Sequence, residues 1–224
     1  YVGTETTYVN KTTDNGRTWQ LVGQGYPFGG AITAVAIHPE DPDIVYVSGG
    51  NQIHKTTDGG QSWAPTLQSP FGAVRLVIDQ TNNEKIVAAA DKGVYISTDG
   101  GDTWSRNWTR QSWDIEIKPD DPSVIYALTK SASGKFEIVR SIDAGETFEP
   151  DSSFPTDITE ASGGLLAVTG ANPDILFAIL LSSNNTPYLY KGTVAAGIWS
   201  WNKQVTGASS DLEMNNWQGY FDLV

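Results

Sequence analysis

Carboxylates are the side chains best able to do chemistry in this 224-residue chain. Two of them facing one cleft can cleave a glycosidic bond, one as acid and the other as base or nucleophile. Asp91, Asp114, Asp157 and Glu160 are the candidates, each in or beside a loop expected at one end of the fold. None sits in a recognisable catalytic pattern, and lining a channel or pairing with a neighbour would explain Asp114 and Glu116 as well. His38 and His54 are the only histidines, one in a turn and one in a strand, so they make no metal triad. The chain has no cysteine, so it has neither a disulfide framework nor a thiolate metal site. No catalytic residue, metal or cofactor is therefore assigned.

A second set of aspartates stands out by repetition. Thr12-Thr13-Asp14-Asn15-Gly16-Arg17-Thr18-Trp19 recurs as Thr56 to Trp63, as Ser97 to Trp104 and as Ser141 to Phe148. The key positions are Asp14, Gly16 and Trp19; Asp58, Gly60 and Trp63; Asp99, Gly101 and Trp104; and Asp143, Gly145 and Phe148. The aspartates step by 44, 41 and 44 residues, a blade-sized repeat. In each copy the carboxylate can accept the turn's own N–H groups, the glycine supplies a positive φ, and the aromatic needs burial. A calcium or anion site is the functional alternative. A turn present four times is better explained as a requirement of a repeat fold.

This pattern resembles the Asp-box, or BNR repeat. The family includes sialidases, xyloglucan-cleaving endoglucanases, sortilin-type receptor domains and a photosystem assembly factor. The resemblance implies that each box is a structural hairpin on the outer part of a blade, away from the ligand face. A sialidase would need three arginines around a carboxylate, a Tyr–Glu pair and an arginine-bearing motif. Arg17 and Arg140 belong to box hairpins, which leaves Arg75, Arg106 and Arg110, and no such motif is present.

Strands flank each box. Ala34-Val35-Ala36-Ile37, Ile44-Val45-Tyr46-Val47, Gln52 to Thr56 and Ser62-Trp63-Ala64 read as four strands joined by short turns. His38-Pro39-Glu40-Asp41-Pro42 and Lys118-Pro119-Asp120-Asp121-Pro122 repeat a second turn. The expected fold is all-β, a β-propeller of four-stranded antiparallel blades with the box between strands three and four. Blades are expected at about 26–68, 69–110, 111–153 and 154–206, after a partial blade at 1–25 and before a new one at 216–224. In the fourth, residues 192–197 are expected to replace the box as a turn. The chain then reads as a segment of a larger propeller whose other blades come from flanking sequence; a five-bladed ring sharing one blade is the alternative.

Loops at the expected ligand face carry Tyr26, Phe28, Phe71, Trp113, Phe154 and Trp217. Such rings stack on sugars or anchor proteins, or wedge between blades as core. The net charge of −12 disfavours nucleic acid and anionic membranes as partners. No apolar run reaches membrane-spanning length. The expected function is a non-catalytic binding scaffold in an exported, surface-associated or extracellular bacterial protein, with a protein or polysaccharide ligand. Glycoside hydrolysis of the xyloglucanase type and docking of a membrane protein during assembly are the alternatives.

Overall fold

Short antiparallel strands dominate the computed structural model, which describes residues 1–66, 71–155, 158, 161–182, 186–195 and 197–206. The first sheet has three strands, β1 (Val2–Gly3), β2 (Val9–Lys11) and β3 (Gln20–Val22). Four sheets of four strands follow. They are β4 (Ile32–Ile37) to β7 (Ala64–Pro65), with β5 (Val45–Gly49) and β6 (Gln52–Thr56) between; and β8 (Ala73–Ile78), β9 (Ile86–Ala90), β10 (Gly93–Ser97) and β11 (Ser105–Trp108). Next come β12 (Ser112–Ile117), β13 (Ile125–Lys130), β14 (Phe136–Ser141) and β15 (Glu149–Pro150), and then β16 (Ala161–Val168), β17 (Ile175–Ser182), β18 (Pro187–Ala195) and β19 (Ile198–Thr206). Each strand pairs with its chain neighbour, so every sheet is a meander. These are the four-stranded antiparallel blades of a β-propeller. Among the described residues no helix is long and apolar enough to cross a membrane.

The chain divides into two compact units, Tyr1–Arg106 and Asn107–Val224. In the first, β5 and β9 are buried along their whole length, because a second strand has partners on both edges and apolar neighbours on both faces. Tyr46, Ile53, Phe71, Leu76 and Ile86 anchor one cluster; Val9, Phe28, Val47 and Trp63 anchor another. In the second unit, Leu128, Phe136, Phe154, Leu176, Leu180 and Tyr190 share one core. Each such side chain contributes about 1.5–3 kcal/mol by leaving water.

Two devices were not expected from the sequence. The first strand of every four-stranded sheet carries a register shift at its start, between Ile32 and Ala34, Ala73 and Arg75, Ser112 and Asp114, and Ala161 and Gly163. A bulge there redirects the side chain it carries. Thr33 Oγ1, for example, donates to Ala73 O at 2.6 Å and so ties β4 to β8. The second device is edge blunting: β7 and β15 are two residues long and each ends in proline, Pro65 and Pro150. A residue without an N–H cannot template an added strand.

One expected turn is corrected. Residues 192–195 are strand and not turn, because the β18–β19 ladder continues to the pair Ala195↔Ile198. Gly192 sits inside it opposite Trp201, and a Cβ there would run into the Trp201 ring at 2.7 Å. Glycine in this strand makes room for an indole. Residues 216–224 lie outside the described residues.

Candidate functional site

A meander places the turns between strands one and two and between three and four at one end of each sheet. The other turns lie at the opposite end. The Asp-boxes occupy the first end and the aromatic-bearing loops the second.

The four boxes share one wiring scheme. The leading hydroxyl donates to the aspartate: Thr12, Thr56, Ser97 and Ser141 reach Oδ1 of Asp14, Asp58, Asp99 and Asp143 at 2.7–2.8 Å. The same oxygen accepts the N–H of Thr18, Ser62, Thr103 and Thr147 at 2.8–2.9 Å. The glycine N–H returns to the leading hydroxyl at 2.8–2.9 Å. Each indole N–H then caps the glycine carbonyl, from Trp19, Trp63 and Trp104 at 3.0–3.2 Å. The residue before the glycine is also left-handed, and in the last box it is Ala144, at φ 63°. Trp63 and Phe148 are buried, whereas Trp19 in the three-stranded sheet is 48% exposed.

The boxes also dock onto the preceding sheet. Gly100 N donates to Glu84 O within its own blade, while Gly100 O receives Tyr46 OH at 2.8 Å and Lys55 Nζ at 3.0 Å from the sheet before. Gly60 O receives Gly23 N at 3.0 Å. Both oxygens of each box aspartate accept hydrogen bonds from within the turn. Among the described residues, no three His, Asp or Glu side chains converge to hold a metal ion.

These hydrogen bonds favour the charged carboxylate. The threonine or serine hydroxyl foremost, then its N–H, hold Asp14, Asp58 and Asp143 down at about 2. At Asp99 partial burial pushes up, but the Thr103 and Ser97 groups outweigh it and leave the carboxyl below its usual range. A carboxyl depressed in the folded state stabilises above its unfolded value of about 3.9 and loses that contribution as pH falls through its folded value. The urea midpoint is therefore expected to drop between about pH 4 and pH 2. The deficit of Asp58→Asn relative to the parent should shrink across that same window. A deficit constant down to pH 2 would show that the ionised carboxylate is not what matters.

At the loop end, three of the sequence-assigned aromatics are core side chains. Phe28, Phe71 and Phe154 are 1%, 1% and 4% exposed. Each closes its own blade as a plug. Phe28 meets His54 and Trp63 edge-on at 5.3 and 5.2 Å. Phe71 stacks on Tyr95 at 3.7 Å and meets Trp104 at 5.4 Å. Phe154 meets Tyr190 at 5.9 Å and Trp201 at 4.9 Å. Tyr26 and Trp113 are partly buried, and Trp217 lies outside the described residues.

The blade β12–β15 differs. Its entering loop carries Arg110, whose guanidinium lies 5.1 Å from the Trp108 ring and donates to Glu137 Oε2 at 2.8 Å. Buried Thr129 also donates to that carboxylate, and Trp113, on the bulge, packs against Phe136 at 5.2 Å. The Arg110 side chain is 40% exposed. The Trp108 indole N–H is buried without a hydrogen-bond partner. An indole, a cation and a carboxylate thus meet at the loop end. Arg110, Trp108 and Glu137 escaped sequence reasoning, because only β13–β14 pairing brings Glu137 to the loop.

The candidate acids are not brought together. Asp114 is 1% exposed; its Oδ1 accepts Ile115 N at 2.9 Å and its Oδ2 accepts Leu166 N at 2.7 Å. It clamps β12 to β16. Asp91 is exposed in the turn between β9 and β10. Asp157 and Glu160 lie outside the described residues. A cleft of about 290 Å³ beside β15 and β19 is lined by Glu149 and Asp151. There Asp151 is consumed by Ser153 and by the Trp201 indole N–H at 2.9 Å. His38 Nδ1 accepts the Glu40 and Asp41 N–H groups and caps a turn.

Repeated Asp-box hairpins on four-stranded meander sheets define the class: this chain is a BNR-type β-propeller. Residues 95–106 match the BNR/Asp-box repeat family. Over 133 residues the chain is 32% identical to the photosystem II assembly lipoprotein Ycf48 of Synechococcus sp. (strain CC9902), covering 56% of this chain and 37% of that protein. Over 128 residues it is 28% identical to xyloglucanase Xgh74A of Acetivibrio thermocellus, covering 42% of this chain and 15% of that protein. Among solved structures, an ancestral GH74 enzyme matches with a TM-score of 0.70 at 19% identity, over 88% of this chain and 28% of that one. That last likeness is one of fold. The chain spans 37% or less of the length of these two curated relatives.

Proposed function

We propose that the chain is a non-catalytic binding scaffold that contacts a protein or glycan through its loop end. The observation that carries this reading is Asp114: a buried carboxylate with a backbone N–H on each oxygen serves the fold and is not poised to transfer protons. The contact region is the partly exposed group Trp108, Arg110, Trp113 and Glu137, since Phe28, Phe71 and Phe154 each plug their own blade. Trp and Arg are the side chains that most often dominate binding energy. Working units of about 26–68, 69–110, 111–153 and 154–206 suit this reading, as does an exported bacterial protein at or beyond the cell surface. Likeness to a lipoprotein supports that location.

Likeness to xyloglucanases favours glycoside hydrolysis as a second reading, and likeness to an assembly lipoprotein favours docking of a protein client. Incubation with soluble xyloglucan and other soluble polysaccharides separates these. No new reducing ends should appear. Any polysaccharide retained by the immobilised chain should bind at least about 30-fold more weakly after Trp113→Ala or Arg110→Ala, the effect of losing a hot spot. Turnover abolished by replacing a single acid would overturn the proposal.

A further inference from the structure

We propose that the glycine-rich loop 23–30 is a pH-sensitive latch, held shut by a neutral His54 imidazole and released when that ring takes up a proton. Three blades seat a phenylalanine plug over a strand-three side chain. Under Phe71 and Phe154 that side chain is Tyr95 and Tyr190. Under Phe28 it is His54, four residues before the box aspartate just as Tyr95 is. Of these three plugs, this one rests on an imidazole.

The imidazole is 3% exposed and has a partner at each nitrogen. Tyr26 OH lies 2.9 Å from Nδ1, and Gly49 O lies 3.2 Å from Nε2. The neutral ring satisfies both when Nε2–H donates to Gly49 O and Nδ1 accepts the Tyr26 hydroxyl. Protonation puts hydrogen on Nδ1, so the Tyr26 hydroxyl must reverse and a charge appears in an apolar box. Phe28 and Tyr26 of the loop meet the ring, Gly49 O of β5 bonds it, and Val47 of β5 and Pro65 of β7 are its register partners on the flanking strands. Tyr26 is the titratable group that faces the ring from these elements; the Gly49 and Phe28 carbonyls favour the charged ring, and burial outweighs them. Burial accordingly drives the ring toward its neutral form.

The loop is built to move. Gly23, Gly25 and Gly29 have φ of 71°, 83° and 83°; Gly23 N anchors the loop's start to Gly60 O, and beyond it Tyr26 N and Phe28 N make short-range contacts to Gly23 O and Tyr26 O. Opening would hydrate the imidazolium and unseat Phe28 from Trp63.

Amide hydrogen exchange of the full chain at about pH 7 and pH 5, corrected for intrinsic rates, tests this. Protection of residues 23–30 is expected to fall several-fold at the lower pH, because the ring binds a proton more tightly once the loop is open. The counterpart segment at Phe71 should not change. His54→Tyr, which installs the residue of the other blades, should abolish the fall. Tyr26→Phe should bring protection at pH 7 down toward the parent's value at pH 5. Unchanged protection of 23–30 at pH 5, an equal fall at Phe71, or the same fall in His54→Tyr would each overturn the latch.

Discussion

Phe71→Ala is expected to lower the unfolding free energy by about 3–5 kcal/mol, the cost of emptying a well-packed core site. The ring is 1% exposed and lies flat on Tyr95, at 3.7 Å with 7° between planes, with Trp104 against its edge. Collapse into the gap is blocked on the Trp104 side, because that indole is fixed to Gly101 O at 3.0 Å. The surrounding strands cannot follow, since β8 and β9 are in register from Arg75↔Ala89 to Ile78↔Ile86. Phe154→Ala should behave alike, whereas Trp113→Ala should cost less because that ring is partly open to water. Urea unfolding with unchanged slope is the measurement. A loss below about 1 kcal/mol would mean that the ring does not close its blade.

Asp114→Ala comes next in size, at about 3 kcal/mol. It strips the acceptor from two backbone N–H groups, each costing about 1–3 kcal/mol if left buried and unpaired. Leu166 N, on the first strand of the next sheet, donates to this carboxylate at 2.7 Å. Asp114→Asn keeps one acceptor and should lose about half as much. The pair also divides the two functional readings. A clamp predicts graded loss of stability with no activity to lose. A general acid predicts that Asn spares stability while ending turnover.

The recurring hairpin was legible because the contacts of its aspartate are local. Asp58 meets Thr56 and Ser62 within four residues, so residue type and spacing are sufficient to read it. Blade-sized spacing then gave the meander. Features that depend on distant pairing were not legible. The bulges at Thr33, Val74, Trp113 and Ser162 share no residue type. The aromatic loops suggested a ligand face, but whether Phe28 points out or in depends on His54 and Trp63, far along the chain. Gly192 read as turn punctuation because nothing nearby in sequence announces that Trp201 will cover it. Arg110 and Glu137 meet only after two strands have paired.

The short-range wiring of the box has a kinetic consequence. A turn whose hydrogen bonds span at most four residues closes with little loop entropy to overcome. Hairpins of this kind form on a timescale of about 1–10 μs, well before sheets can meet one another. Strands three and four of each repeat are thus zipped first, and the slow phase of assembly falls to the junctions where Asp114 reaches Leu166 and Tyr46 reaches Gly100.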